Sequence, residues 1–172
     1  MEKFTCSTCG KNHNMYTVFQ YGLPKAIVDD LLNGTLKNES SDRWMIISNQ
    51  YFLIRGEIRI PVKNLKQAEF LSFLSWIMVD YDDFKKYIDC LERNSNSSYK
   101  HHGTLVSEIH GFAISSGLKV VYEFQGISRF PLVTIEKNET EISKAQVEGW
   151  DKKQYLKFLK SFYHPDQANI SV

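Results

Sequence analysis

The chain has 172 residues, 42% of them apolar and 13% aromatic, which is enough for the core of one globular domain and excludes a disordered protein. The 21 basic and 20 acidic side chains leave a net charge of +1, which argues against a general nucleic-acid or membrane-surface protein without excluding a local charged patch. With three cysteines, no evident signal peptide and no apolar run long enough to cross a bilayer, we expect a cytoplasmic protein with reduced thiols.

The first element along the chain is a cysteine-containing segment, FTCSTCGKNHN. Cys6 and Cys9 are separated by two residues, Gly10 permits a tight turn and His13 follows, a spacing typical of a zinc knuckle. We therefore expect Cys6, Cys9 and His13 to bind a structural Zn²⁺. A knuckle without metal and a redox-active dithiol are the alternatives. The second is disfavoured because such motifs normally begin a helix just after a strand, and no strand is predicted before Cys6. The candidates for a fourth, distant ligand are His101, His102, His110 and His164.

A helix and a hairpin are predicted next. The helix begins at Pro24, which suits the first turn of a helix, and ends at Leu32 before an Asn-Gly pair. Residues 43–62 are rich in β-branched and aromatic side chains and are interrupted by a polar Ser-Asn-Gln triplet, which predicts a β-hairpin. Gly56 in the second arm suggests a bulge.

The segment that follows predicts a strand and then an amphipathic helix. Residues 70–80 are almost wholly apolar, and apolar side chains recur at helical spacing over residues 81–93. Asp80 is the expected N-cap, with Asp83 three residues later. Cys90, inside this helix, is interpreted as a small core residue rather than a nucleophile.

The acidic residues at the start of that helix allow two interpretations. Asp80, Asp82 and Asp83 complement the positive end of the helix dipole, which needs no functional explanation. Alternatively, they form an acidic face that binds a basic partner. The sequence leaves both open.

The second half of the chain is predicted less completely. His101 and His102 follow a Ser/Asn-rich stretch and are interpreted as exposed loop histidines, and residues 104–114 are left open between strand and helix. The further predicted elements are strands at 118–125 and 130–137 and a helix at 151–163. Because neighbouring strands are joined by short links, the fold class predicted is α+β, with a mostly antiparallel sheet packed against two or three helices.

One domain is expected to span residues 1–172. It comprises a knuckle-like segment at 1–16, an α+β core at 17–150 and a C-terminal helix and tail at 151–172.

Several of these segments, in this order, resemble the DUF2199 family of small bacterial proteins of unassigned function. In that family a further cysteine often stands just ahead of the first sheet arm, where this chain has Met45. The resemblance implies a fold and a cysteine pair, and it implies no activity. It rests on Cys6-x-x-Cys9-Gly10-x-x-His13, FLIRGEIRIPV (52–62), the strand-then-helix segment 76–87, Gly103-Thr104-Leu105, Arg129 with PLVTIE (131–136), and AQVEGW (145–150).

Two arginines in apolar surroundings are further candidates. Arg55 and Arg129 must either pair with a carboxylate, such as Glu57 or Glu136, or face a groove that binds an anion. The chain lacks the common nucleotide-binding, nucleophile-elbow and metalloprotease motifs, and no catalytic set is recognisable.

Function is therefore expected to be non-catalytic. The leading hypothesis is a cytoplasmic module that binds another protein, most concretely an immunity- or antitoxin-type inhibitor. The alternatives are a zinc- or anion-dependent enzyme that uses Arg55, Arg129 and the histidines in one cleft, and a protein that binds nucleic acid through the knuckle. A membrane partner is not expected.

Overall fold

The computed structural model describes residues 3–64, 69–94, 98–136 and 140–164. The strands are β1 (Lys3–Thr5), β2 (Asn12–Asn14), β3 (Val18–Gln20), β4 (Asn38–Ser40), β5 (Trp44–Ile47), β6 (Tyr51–Pro61), β7 (Phe70–Val79), β8 (Ser98–Leu105), β9 (Lys119–Gln125) and β10 (Leu132–Ile135). The helices are α1 (Lys25–Leu32), α2 (Tyr81–Glu92), α3 (Glu141–Glu148) and α4 (Lys152–Tyr163).

Five of these strands close into a barrel. Antiparallel pairs join β6 to β7, β7 to β8, β8 to β9 and β9 to β10, and β10 then returns to β6 in a parallel pair with Leu132 opposite Glu57. The remaining strands of the large sheet extend it, with β3 beside β7, and β5 followed by β4 beside β6. The fold is therefore mostly β, and the predicted α+β sheet packed against helices is wrong.

The barrel closes because β6 is long enough to pair with two strands along one edge. Its first part, Tyr51 to Ile54, pairs with β5, and its middle, at Glu57 and Ile58, pairs with β10. Its other edge pairs with β7 over ten residue pairs. The sequence predicted β6 itself. Nothing local to β6 predicts that the edge paired with β5 also pairs with β10, which lies more than seventy residues later in the chain.

The inside of the barrel is narrow at Gly56. This residue lies among the inward-facing positions of β6, and a Cβ atom there would come within 2.4 Å of Val133 Cγ2 and 2.5 Å of Ile77 Cδ1. The β6–β7 pairing runs through Gly56 without an extra residue, so the expected bulge is not present. Gly56 instead leaves space over β6 that the side chains of Val133 on β10 and Ile77 on β7 occupy.

Three helices pack on this barrel and share its core, and each has a polar N-cap. Asp80 accepts a hydrogen bond from the Asp83 amide, Thr140 caps α3, and Asp151 forms a capping box with Gln154. The core side chains that the helices supply are Phe84 and Tyr87 from α2, Ile142 and Ala145 from α3, and Tyr155, Phe158 and Leu159 from α4. The other helix, α1, packs over a separate cluster outside the barrel that contains Ile47, Leu53 and Trp76.

Most of the local predictions are confirmed. The exceptions are the bulge at Gly56, the loop at residues 101–102, and the absence of a strand before Cys6, which β1 directly precedes. The predicted helices at 24–32, 81–93 and 151–163 correspond to α1, α2 and α4, and the predicted hairpin corresponds to β5 and β6. The histidines at 101 and 102 lie in strand β8 rather than in a loop, and α3 was not predicted. The end of the strand predicted at 130–137 and the tail beyond His164 lie outside the described residues.

Candidate metal centre

The amino-terminal hairpin forms a tight loop around the two cysteines. Strands β1 and β2 pair with Phe4 opposite His13. In the loop between them, the Gly10 amide donates to the Cys6 carbonyl at 2.8 Å, and the Cys6 amide donates to the Lys11 carbonyl at 2.9 Å. Gly10 has a φ of 71°, which a residue with a side chain rarely adopts. The loop therefore folds back so that Cys9 approaches His13.

Four candidate ligand side chains meet at this hairpin. The ligand atoms of Cys6, Cys9, His13 and His164 all lie within 4.8 Å of one another. Cys9 Sγ is 3.1 Å from His13 Nε2, and Cys6 Sγ is 3.4 Å from His164 Nε2. These four side chains are close enough to hold one metal ion. Of the four histidines considered as a distant ligand, His164 is the one that the fold brings to the cysteine pair.

The cysteines differ in exposure, and Cys6 is electrostatically favoured as a thiolate. Cys6 is fully buried and Cys9 is exposed, while His13 and His164 are half-buried. Burial raises the pKa of the Cys6 thiol, but hydrogen bonds to its sulfur from the backbone amides of Cys9 and Thr8 oppose this effect and bring the pKa down to about 6. The thiolate is the form of cysteine that binds metals.

Packing of α4 against the hairpin positions His164. The His13 ring stacks on Tyr163 with centroids 4.2 Å apart, and the Tyr163 hydroxyl donates to the Asn14 carbonyl at 2.8 Å. One turn earlier, Lys160 Nζ donates to the Ser7 hydroxyl at 2.6 Å. These contacts hold the end of α4 against the hairpin, so the two halves of the site are aligned by groups other than the ligands themselves.

Arg55 and Arg129 lie on either side of a third arginine, Arg43. The Arg55 amide donates to the Arg43 carbonyl at 2.7 Å, and Arg43 Nη1 donates to the Arg129 carbonyl at 3.1 Å. The Arg55 guanidinium lies over the Trp76 ring, 4.8 Å from its centroid. The Arg129 side chain is exposed.

The two suggested carboxylate partners pair elsewhere. Glu57 pairs with Arg59 at 2.7 Å, and Glu136 pairs with His102 at 3.0 Å. Arg55 is therefore stacked on an aromatic ring, and the carboxylates suggested for it and for Arg129 contact other side chains, Arg59 and His102.

The three acidic residues at the start of α2 separate into two groups. Asp80 and Asp82 are exposed. Asp83 points into the protein, where its side chain is 9% exposed, and its carboxylate lies 2.7 Å from His101 Nδ1 and 3.4 Å from Lys86 Nζ. An acidic face at this place therefore includes Asp80 and Asp82 but not Asp83.

Sequence reasoning missed a group of buried and partly buried tyrosines beside the Asp83–His101 pair. Tyr99, which is partly buried, contacts the His101 ring edge-on with centroids 5.1 Å apart, and the buried Tyr122 stacks on the same ring at 6.1 Å. Burial raises the pKa of Tyr87 to about 12 and also raises the pKa values of Tyr99 and Tyr122. The alternation of Tyr99 and His101 along β8 was the available signal for an inward-facing polar strand.

The fold and the site define a closed β-barrel with a candidate Cys₂His₂ site between the β1–β2 hairpin and the end of α4. A family model described as "Uncharacterized protein conserved in bacteria (DUF2199)" matches residues 5–150, so the chain belongs to this family. Cys6, Cys9 and His13 lie inside the matched region, and His164 lies beyond it. No curated protein and no solved structure matches the chain. Among the described residues, no helix has the length and apolar character needed to span a membrane.

Proposed function

We propose that Cys6, Cys9, His13 and His164 bind one structural Zn²⁺. The proposal rests on the ligand-atom distances. Typical zinc–sulfur and zinc–nitrogen bonds in a tetrahedral site place neighbouring ligand atoms about 3.3–3.8 Å apart. The four atoms here lie within 4.8 Å of one another, and the Cys9–His13 and Cys6–His164 pairs are at 3.1 and 3.4 Å. Small side-chain movements are sufficient to reach the zinc geometry.

Two thiolates and two imidazoles form a complete tetrahedral set, which is typical of structural rather than catalytic zinc. A catalytic zinc keeps one position for water or substrate. The zinc-dependent enzyme considered from the sequence requires such an open position, and four protein ligands leave none. We therefore assign the ion the role of a cross-link between the amino-terminal hairpin and the end of α4.

This cross-link stabilises a part of the chain that has little core of its own. Strands β1 and β2 have three residues each, and an isolated two-stranded hairpin of this size is marginally stable in water. Within the hairpin and its exit, the buried apolar side chains are those of Cys6 and Met15. Coordination of His164 by the same ion as the hairpin ligands couples metal binding to the folding of this region, where apolar burial is small.

The biological role we propose is that of a non-catalytic, cytoplasmic protein-binding module, most concretely an immunity- or antitoxin-type inhibitor. The supporting observation is an acidic patch formed by Asp80, Tyr81 and Asp82. Tyr81 is 57% exposed and its ring packs on Phe52 at 5.2 Å, so a rigid aromatic side chain stands between two exposed carboxylates. Tyrosine is enriched at binding hot spots, and flanking carboxylates favour a basic partner.

Affinity capture from the lysate of the bacterium that encodes the chain tests this role. The patch variant combines Tyr81→Ala with Asp82→Lys, and Asp80 is kept because it caps α2. A matched control, Val147→Ala with Glu148→Lys, makes the same two kinds of change on the exposed surface of α3. We expect the wild type and the control to capture a basic protein in stoichiometric amount, and the patch variant to lose it. Absence of such a partner, or its retention by the patch variant, would refute the proposed role.

A further inference from the structure

The two chain segments that meet at the candidate metal centre contain lysines but no aspartate or glutamate. Residues 3–20 and 152–164 contain six of the 21 basic side chains and none of the 20 acidic ones. The six are Lys3, Lys11, Lys152, Lys153, Lys157 and Lys160. Because two thiolates offset the charge of a bound Zn²⁺, the proposed metal does not change this excess. A nearly neutral protein therefore has one strongly cationic region.

Three of these lysines form a stripe along α4. At 100° and 1.5 Å per residue, Lys153, Lys157 and Lys160 fall within an arc of about 60° and span about 10 Å of the helix axis. Lys153 and Lys157 are exposed, and Lys160 extends to Ser7 of the hairpin. The core-facing side of the same helix carries Tyr155, Phe158 and Leu159. We refer to Lys153, Lys157 and Lys160 as the lysine stripe.

We infer that the lysine stripe binds the phosphodiester backbone of a nucleic acid. Lysine side chains make many of the phosphate contacts in protein–nucleic acid complexes. The cores of protein–protein interfaces are instead depleted in lysine and enriched in aromatic residues and arginine. The stripe contains lysine alone, in contrast to the acidic patch around Tyr81, and this composition favours phosphate over an acidic protein surface.

Neighbouring carboxylates limit the cationic surface on one side. Glu141 and Glu148 of α3 line, with Lys157, a groove of about 440 Å³, and Asp151 caps the start of α4. A bound backbone is therefore expected to follow α4 toward the hairpin and Lys11, away from α3. The contact is with backbone phosphates, so it selects charge and not base sequence.

Fluorescence anisotropy with labelled oligonucleotides of about 20 nucleotides, single-stranded and duplex, tests the inference on protein purified without chelator. With three phosphates contacted, affinity for the single strand is expected to fall about 20-fold between about 50 and 200 mM KCl. Charge reversal by Lys153→Glu with Lys157→Glu should abolish binding. The milder Lys153→Gln with Lys157→Gln should weaken it at least about tenfold, and thermal melting checks that both variants are folded.

The control is Lys85→Glu with Arg93→Glu, which makes the same charge change at exposed positions in and just after α2. This control should bind both oligonucleotides with nearly the affinity of the wild type, reduced slightly and equally for the two because its net charge is lower. The inference is overturned if neither oligonucleotide binds at low salt, or if the control loses as much affinity as the stripe variant. It is also overturned if a polyglutamate peptide competes as well as unlabelled oligonucleotide, because the stripe would then be a site for an acidic protein.

Discussion

Closure of the barrel can be tested at Gly56, the position where β10 meets β6. In a Gly56→Ala variant the new Cβ would lie 2.4 Å from Val133 Cγ2 and 2.5 Å from Ile77 Cδ1, so both neighbours must move. Overpacking of this kind costs about 1–3 kcal/mol. For a domain of this size, that corresponds to a fall in Tm of about 2–12 °C. Gly22→Ala is the control, since a Cβ there meets nothing within 4 Å.

A double-mutant cycle makes the test specific to closure. Val133 is fully buried, so Val133→Ala alone is expected to cost about 2 kcal/mol. Removing its methyl groups also makes room for the Cβ of Gly56→Ala. The double variant should therefore be at least about 1 kcal/mol more stable than the sum of the two single-variant losses predicts. Part of the loss caused by Gly56→Ala remains, because Ile77 is unchanged. Urea denaturation of the four proteins measures this coupling. In an open sheet, where β10 does not reach β6, the two effects would add, and additivity would refute the closed barrel.

Three further predictions concern other parts of the molecule. Asp80→Ala should destabilise the protein by about 1 kcal/mol, because it removes the cap of α2. The control Asp82→Ala should change the free energy of unfolding by less than about 0.5 kcal/mol. Equal effects of the two substitutions would contradict the assigned cap. Burial raises the pKa of Tyr87 to about 12 in the folded protein, whereas the unfolded value is near 10. The folded state therefore holds the phenolic proton more tightly, and the stability that this proton contributes is present below pH 10 and is lost as the pH rises from 10 to 12. Tyr87→Phe should therefore reduce the alkaline fall in the free energy of unfolding, and an unchanged slope would show that Tyr87 titrates normally. Cys9→Ser should reduce bound zinc while Cys90→Ser, outside the candidate site, retains it; loss in both variants would point to an effect on folding instead of coordination.

The elements that sequence analysis predicted are those specified by their own residues. The apolar periodicity of α2 and α4, and the β-branched arms of the 43–62 hairpin, are local signals, and the structure confirms these elements. Asp80 was identified as an N-cap because a cap needs only residues three positions apart. These features required no knowledge of the rest of the chain.

The features that were missed depend on distant partners. Barrel closure requires β10 to find β6, and Gly56 is explained by Val133 and Ile77, which no local pattern connects to it. His101 and His102 of β8 were taken for loop residues because they follow a Ser/Asn-rich stretch. In the folded protein, His101 is accommodated by Asp83 of α2. A partly buried polar pair of this kind hides the hydrophobic alternation by which strands are usually recognised.

The candidate metal centre was predicted only in part, again because one of its residues is distant from the others in sequence. Cys6, Cys9 and His13 lie within eight residues, so their spacing alone suggested a site. The fourth candidate, His164, stands 158 residues after Cys6 and was one of four histidines with equal claim. Its selection follows from the packing of Tyr163 on His13 and of Lys160 on Ser7, which are tertiary contacts.

The proposed zinc cross-link between the β1–β2 hairpin and the end of α4 is tested most directly by the metal content of His164→Ala. Inductively coupled plasma mass spectrometry should find one zinc per chain in the wild type. It should find the same in His110→Ala, whose ring contacts the Ser161 hydroxyl and not the candidate centre. In His164→Ala, zinc affinity measured by chelator competition should fall by more than about 100-fold, because loss of a ligand costs more than loss of a group that orients one. A wild-type protein without zinc, or a His164→Ala variant with unchanged affinity, would contradict the cross-link.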